Sequence, residues 1–137
     1  MIKLFFVKLV RLLKNKDFQL DANIKSSYLV HLSLTKLVEL LRGVIKLRCV
    51  SFLGTNVVVY SKGQLTLGKS VVIGAYSYIN CTGKNGIIIG NSSSIGRFST
   101  LSVSGSISDL GKGITIGNNV GIGEFAHIGG AGGVEIG

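Results

Sequence analysis

Proline and tryptophan are absent from the 137 residues, methionine occurs once, and there are two cysteines and two histidines. Cys49 and Cys81 form neither a disulfide framework nor a zinc pattern, so both are expected as free thiols in a reducing compartment. The histidines are one to each half of the chain, His31 and His127, too few for a multi-histidine centre, and no metal is expected. Acids are scarce as well: six Asp and Glu stand against fifteen Lys and Arg, a net charge of +9. No apolar run is long and uncharged enough for a membrane span. A secretory signal is not read either, because Lys3, Lys8 and Arg11 interrupt the first apolar run and residues 14–17 are no cleavage site. The sequons at Asn80 and Asn91 therefore carry no meaning beyond turn chemistry.

What remains is apolar (mean hydropathy +0.50) and rich in glycine, and it is unevenly laid out. The length suits about one domain. All twenty glycines lie at or after Gly43. Residues 1–50 hold ten Lys and Arg against three acids, a net +7, whereas residues 51–137 hold five against three, a net +2. Two segments of different character meet near residue 43: a basic helical segment with a cap over 1–43, and a glycine-rich one over 44–137.

The second segment keeps a six-residue beat. Leu67, Ile73 and Ile79 form one round, Ile89, Ile95 and Leu101 the next, and Ile116, Ile122 and Ile128 a third, with Ile136 opening another. Glycine follows most of these residues. A six-residue period points to a parallel β-helix. Side chains two apart on a strand share a face, so each beat residue points inward with the residue two before it. Leu65, Val71 and Ser77, then Ile87, Ser93 and Ser99, then Ile114, Val120 and Ala126, and finally Val134, are those partners. Successive rounds start 22, 27 and 20 residues apart, at Leu67, Ile89, Ile116 and Ile136. Three beats take 18, so extra residues fall at 83–86, within 103–113 and within 129–133, always after the third beat. A solenoid accepts such insertions at a corner without losing its stacking. Carried backwards, the frame places Ile45 and Leu47 on a strand and gives four coils over 45–133, with a fifth begun at Val134.

Over residues 45–137 this pattern resembles the hexapeptide-repeat acyltransferases, and ITIGNNVGIGEFAHIGGAGGVEIG (114–137) is most similar to the sugar O-acetyltransferases of capsule and O-antigen clusters. The resemblance implies an all-β solenoid, a left-handed parallel β-helix, behind an N-terminal α-helical segment; the handedness comes from the resemblance alone. It further implies a homotrimer, acetyl-CoA as acyl donor held between adjacent coils, and a sugar or lipid-linked glycan as acceptor. The location it implies is cytoplasmic, peripheral at the inner face of the cytoplasmic membrane. In that family a His near an Asn-His pair takes the proton of the acceptor hydroxyl, a role suited to imidazole near neutral pH. That motif follows the segment that here reads Gly-Gly-Val-Glu-Ile-Gly at 132–137, so the expected His lies beyond Gly137, where the chain stops. The expectation is a truncated form of a parent acyltransferase, inactive alone, with no catalytic residue of its own. His127 is the one candidate within the coils, set against the plainer reading of an outward side chain on a repeat. The alternatives are a non-catalytic structural solenoid or a membrane-surface module, and a related carbonic anhydrase class is disfavoured by the single coil histidine.

Ahead of the coils, Ile2, Phe5, Phe6, Leu9, Leu12 and Leu13 recur at helical spacing among Lys3, Lys8, Arg11, Lys14 and Lys16. Such a basic amphipathic helix fits peripheral membrane contact through residues 1–20, or packing on the end of the solenoid, and the two are compatible. A second helix is expected from Ser26 or Ser27, as N-cap, to Gly43 just past its end. Its apolar residues, among them Tyr28, Leu29, Leu32, Leu37, Val38, Leu40 and Leu41, need cover, which capping the first coil would give. His31 within it reads as an ordinary helix residue. Nucleic acid is not an expected partner, because the positive charge sits beside apolar stripes and no reading motif accompanies it. Gly121-Ile-Gly-Glu-Phe-Ala126 matches a dinucleotide fingerprint, but a further beat at Ile128, where that fingerprint needs a helix, argues against it.

Overall fold

The computed structural model describes residues 1–13, 19–104 and 106–137. Lys14 and Lys16 of the N-terminal basic cluster, and the side chain of Leu13, lie outside the described residues. Among these residues two helices, α1 (Ile2–Leu13) and α2 (Ser26–Leu47), precede twelve strands of two or three residues. The first coil is β1 (Ser51–Leu53), β2 (Val58–Tyr60) and β3 (Leu65–Leu67); the second is β4 (Val71–Ile73), β5 (Tyr78–Asn80) and β6 (Ile87–Ile89). The third is β7 (Ser94–Ile95), β8 (Thr100–Ser102) and β9 (Ile114–Ile116); the fourth is β10 (Gly121–Ile122), β11 (His127–Gly129) and β12 (Val134–Ile136). Every pairing is parallel, and the strands stack into three four-stranded sheets, β1-β4-β7-β10, β2-β5-β8-β11 and β3-β6-β9-β12. This is a parallel β-helix-like solenoid.

Leu65 pairs with Ile87, Ile87 with Ile114, and Ile114 with Val134, steps of 22, 27 and 20 residues. The extra length leaves at one corner, between the second and third sheets, where 81–86 and 103–113 make the same connection. That corner carries its own ladder: the Lys84 and Asn85 amides donate to the Gly111 and Lys112 carbonyls at 2.8 Å each. Inside, Ile73, Ile79, Ile89, Ile95, Leu101 and Ile116 are at most 1 % exposed. Three of the buried serines bond from one coil to the next. Ser93 Oγ donates to the Gly117 carbonyl at 2.6 Å and accepts from the Val120 amide at 3.0 Å. Ser99 repeats the arrangement one sheet on, donating to Gly123 O and accepting from Ala126 N. Ser77 Oγ donates to Gly96 O at 3.2 Å. A hydroxyl that links two coils this way meets the rule that buried polar groups find partners.

The first coil departs from the frame expected of it. Residues 45–47 are helical and not a strand: α2 runs on to Leu47, and Ile45 is 76 % exposed. Gly43 lies inside the helix, because a Cβ there would strike the Ser51 carbonyl of β1; the glycine marks a close approach and not a helix end. The helix ends instead at Arg48, in the left-handed region at φ 55°, whose amide donates to Val44 O. At its start Lys25 is the N-cap, Ser26 is already helical, and no side chain caps it. Arg42 Nη1 donates to Leu53 O at 2.7 Å, so α2 satisfies part of the open edge of β1. Phe52 and Val72, on the outer face of the first sheet, share a cavity with both helices.

Candidate functional site

His127 stands in β11, exposed, opposite Thr100 of β8, which is itself opposite Tyr78 of β5. Its chain neighbours Ala126 and Ile128 are half-buried on the inward side, so the outward direction read from the sequence is the one found. Among the described residues the imidazole has no hydrogen-bond or ion-pair partner. The acid nearest in sequence, Glu124, is held by Arg97 at 3.1 Å. A base that is to take a hydroxyl proton is normally held by a third group, and none is in place here.

Gly137, the position past which the resemblance puts the family's histidine, directly follows β12 and is exposed. It stacks on the preceding coil through Gly117, whose amide donates to Ile136 O at 2.7 Å. Having no side chain, Gly137 marks a place in the repeat and supplies no group for chemistry. Val134 and Ile136 of β12 pair with Ile114 and Ile116, so the strand expected to open a fifth coil is the third side of the fourth. The coil count is shifted because the first coil begins at β1 and not at residue 45.

Beside His127 runs a column that sequence reasoning missed. Tyr76, Phe98 and Phe125 occupy the same corner of successive coils, each in the left-handed region. Their rings stack nearly parallel, at 5.3 and 5.0 Å between centroids with 5° between planes. The signal was available: each aromatic follows an inward isoleucine, Ile73, Ile95 or Ile122, by three residues. The Arg97–Glu124 pair flanks the column.

Two cavities lie at the N-terminal end. One, about 520 Å³, is lined by Lys46, Arg48, Cys49 and Lys62 with the β3 residues, and among the described residues no acid enters it. The other, about 640 Å³, lies between α1, α2 and the outer face of the first sheet, with a mainly apolar lining that includes Phe6, Leu29, Leu32, Phe52 and Val72. Lys36 reaches over the Phe52 ring at 5.7 Å while paired with Glu39 at 2.7 Å. His31 is exposed on α2, its carbonyl accepting from Thr35 Oγ.

Both cysteines are free. Cys81 is buried at the insertion corner, and loss of solvation for the thiolate pushes its thiol up from 9.0 to about 11. Cys49 is half-buried and donates to Ser51 Oγ at 3.5 Å. The sequon residues do turn chemistry: Asn80 Oδ1 accepts from the Thr82 amide and Asn91 Oδ1 from the Lys69 amide. The glycines of the dinucleotide-like stretch belong to β10 and the turn after it, and β11 follows where a helix would be needed. Among the described residues no three His, Cys, Asp or Glu gather to hold a metal, and no helix is long and apolar enough to cross a membrane. No family model, curated protein or solved structure matches the chain.

Proposed function

We propose that the chain is the solenoid of an acetyl-CoA-dependent O-acyltransferase acting on a sugar of a surface polysaccharide such as capsule or O-antigen. In this reading the solenoid is a left-handed, hexapeptide-repeat β-helix, assembled as a homotrimer. It works in the cytoplasm at the inner face of the membrane, on a sugar or lipid-linked glycan, and touches the bilayer through residues 1–20. The observation that supports the reading is the stack itself. Pairing steps of 22, 27 and 20 residues keep every aliphatic position of the 65–137 frame in line, with all extra residues at one corner.

A sugar hydroxyl is a weak nucleophile until a base accepts its proton, and that help is worth ~10²–10⁴ in rate. His127 is exposed and without an orienting partner, so it is assigned no part in the transfer. With acetyl-CoA and candidate sugars, the 137-residue chain and His127→Ala are both expected to stay at the uncatalysed rate. Transfer by the chain that disappears in His127→Ala would make His127 the base. A non-catalytic solenoid is the competing reading. Sequencing the gene past the codon for Gly137 separates the two: an open frame with a His in the next coil or two favours acyl transfer, and a stop favours the structural role.

A further inference from the structure

α2 is apolar on two sides, and only one of them is used among the described residues. Leu29, Leu32, Gly43 and Leu47 turn towards α1 and the coils. Away from that contact, Val30, Leu34, Val38, Leu41 and Ile45 recur at spacings of four, four, three and four residues, each between 43 % and 76 % exposed. At 1.5 Å per residue this stripe runs roughly 22 Å along the helix. An apolar stripe of this extent on a protein surface marks a place where something docks. On α1, Ile2, Phe5 and Leu12 are likewise exposed, while Phe6 turns in and lines the cavity with Leu9 and Val10.

The charge around the stripe states the chemistry of the partner. Residues 1–50 carry a net +7. The single acid of α2, Glu39, is neutralised by Lys36. Lys46 and Arg48 follow the stripe at its C-terminal end, where with Lys62 they line a cavity that no acid enters among the described residues. A second copy docked on this face would bring together two basic segments, each a net +7 over residues 1–50, which argues against self-association through it. A surface that is apolar within and anionic at its boundary matches both features, and an anionic lipid monolayer is such a surface.

We infer that α2 lies in the interface of an anionic bilayer through Val30, Leu34, Val38, Leu41 and Ile45, with Lys46, Arg48 and Lys62 at the phosphate level. This extends the membrane contact of the reading above from residues 1–20 to the second helix. Docked this way, the N-terminal end of the solenoid faces the membrane.

The chain has no tryptophan, so one introduced residue reports without background. Leu34→Trp is expected to shift to the blue with phosphatidylglycerol vesicles and not with phosphatidylcholine vesicles, and to lose the shift at high salt. Ile107→Trp, on the far corner loop, should not respond. A silent Leu34→Trp beside a responding Phe5→Trp sinks the α2 assignment while residues 1–20 keep their membrane role. If neither reporter responds, both fall. A shift without vesicles that grows with protein concentration overturns the proposal in favour of a second copy. The double variant Leu34→Gln/Leu41→Gln, at exposed positions, is expected to bind at least about tenfold more weakly, from the apolar area it removes. Binding equal to the unaltered chain, with an unchanged melting temperature, would also overturn it.

Discussion

Phe98 sits at φ 57° with its ring between those of Tyr76 and Phe125. The left-handed region costs an L-residue ~1–2 kcal/mol, and a glycine almost nothing. Against that cost stands a ring stack worth ~0.5–1.5 kcal/mol per pair beyond area burial, at the lower end here because the rings are exposed. Two substitutions separate the terms. Phe98→Ala keeps the strained backbone and loses both stacks, so it should lower stability by about 1–2 kcal/mol. Phe98→Gly loses the same stacks but releases the strain, so it should be the milder of the two, reversing the usual order of alanine and glycine. Denaturant midpoints of the two variants decide it; a glycine variant below the alanine one would mean the turn carries no strain worth counting. The same weighing explains why side chains and not glycines fill most of these corners. Ser70, Ser92 and Asn119 hold another corner at φ near 57°, and there the amides of Ser92 and Asn119 donate to the coil before.

At the scale of the element, α2 is fixed by how closely it approaches β1. A glycine inside a helix is ordinarily a weakness, and replacing it by alanine gains about 1 kcal/mol. Gly43→Ala should do the opposite, because the new Cβ would meet the Ser51 carbonyl and β1 is held by its neighbour β4. We expect a loss of about 1–3 kcal/mol, of the size seen for overpacking, read as a lower thermal midpoint. A midpoint that rises would show that α2 can lift off without cost. This contact also explains what was legible beforehand. The inward positions of the coils could be read because alternation along a strand is a local property, and Ile73, Ile95, Leu101 and Ile116 are buried where that alternation puts them. Gly43 read as a helix end because a stop and a close approach leave the same residue in a sequence; only the packing of Ser51 tells them apart. The stripe of α1 was read as one face, but its partner selects Phe6 and leaves Phe5 and Leu12 outside. For His127 the outward direction was legible, and the missing partner was not, since Glu124 could be placed on Arg97 only once the coils were stacked.

Over the whole molecule, each coil touches the coil before and the coil after, so stability is close to a sum of nearest-neighbour terms. A loop outside the stack should then be removable without disturbing the sum, and the third coil offers the case. The second coil links β5 to β6 with residues 81–86, and the third links β8 to β9 with 103–113. The pairing shows which residues correspond. Cys81 and Val103 are both buried, their amides donating to Tyr60 O and Asn80 O of the preceding coil. Lys84 and Asn85 donate to Gly111 and Lys112, and Gly86 O accepts from Ile114 as the third sheet resumes. Thr82 and Gly83 therefore occupy the place of residues 104–110, and the surplus is the part carrying exposed Ile107. Replacing 104–110 by Thr-Gly should leave the three sheets intact. Closure entropy changes only slowly with loop length, about 0.6 kcal/mol per doubling, so the denaturant midpoint should move by less than about 1 kcal/mol equivalent. The hydrogen bond from the buried Gly111 amide to Ser104 Oγ passes to the hydroxyl of the new threonine, which directly follows Val103 as Ser104 does. A collapse of the midpoint, or loss of the β signal in circular dichroism, would mean that the loop braces the corner and that the coils are not independent of their insertions.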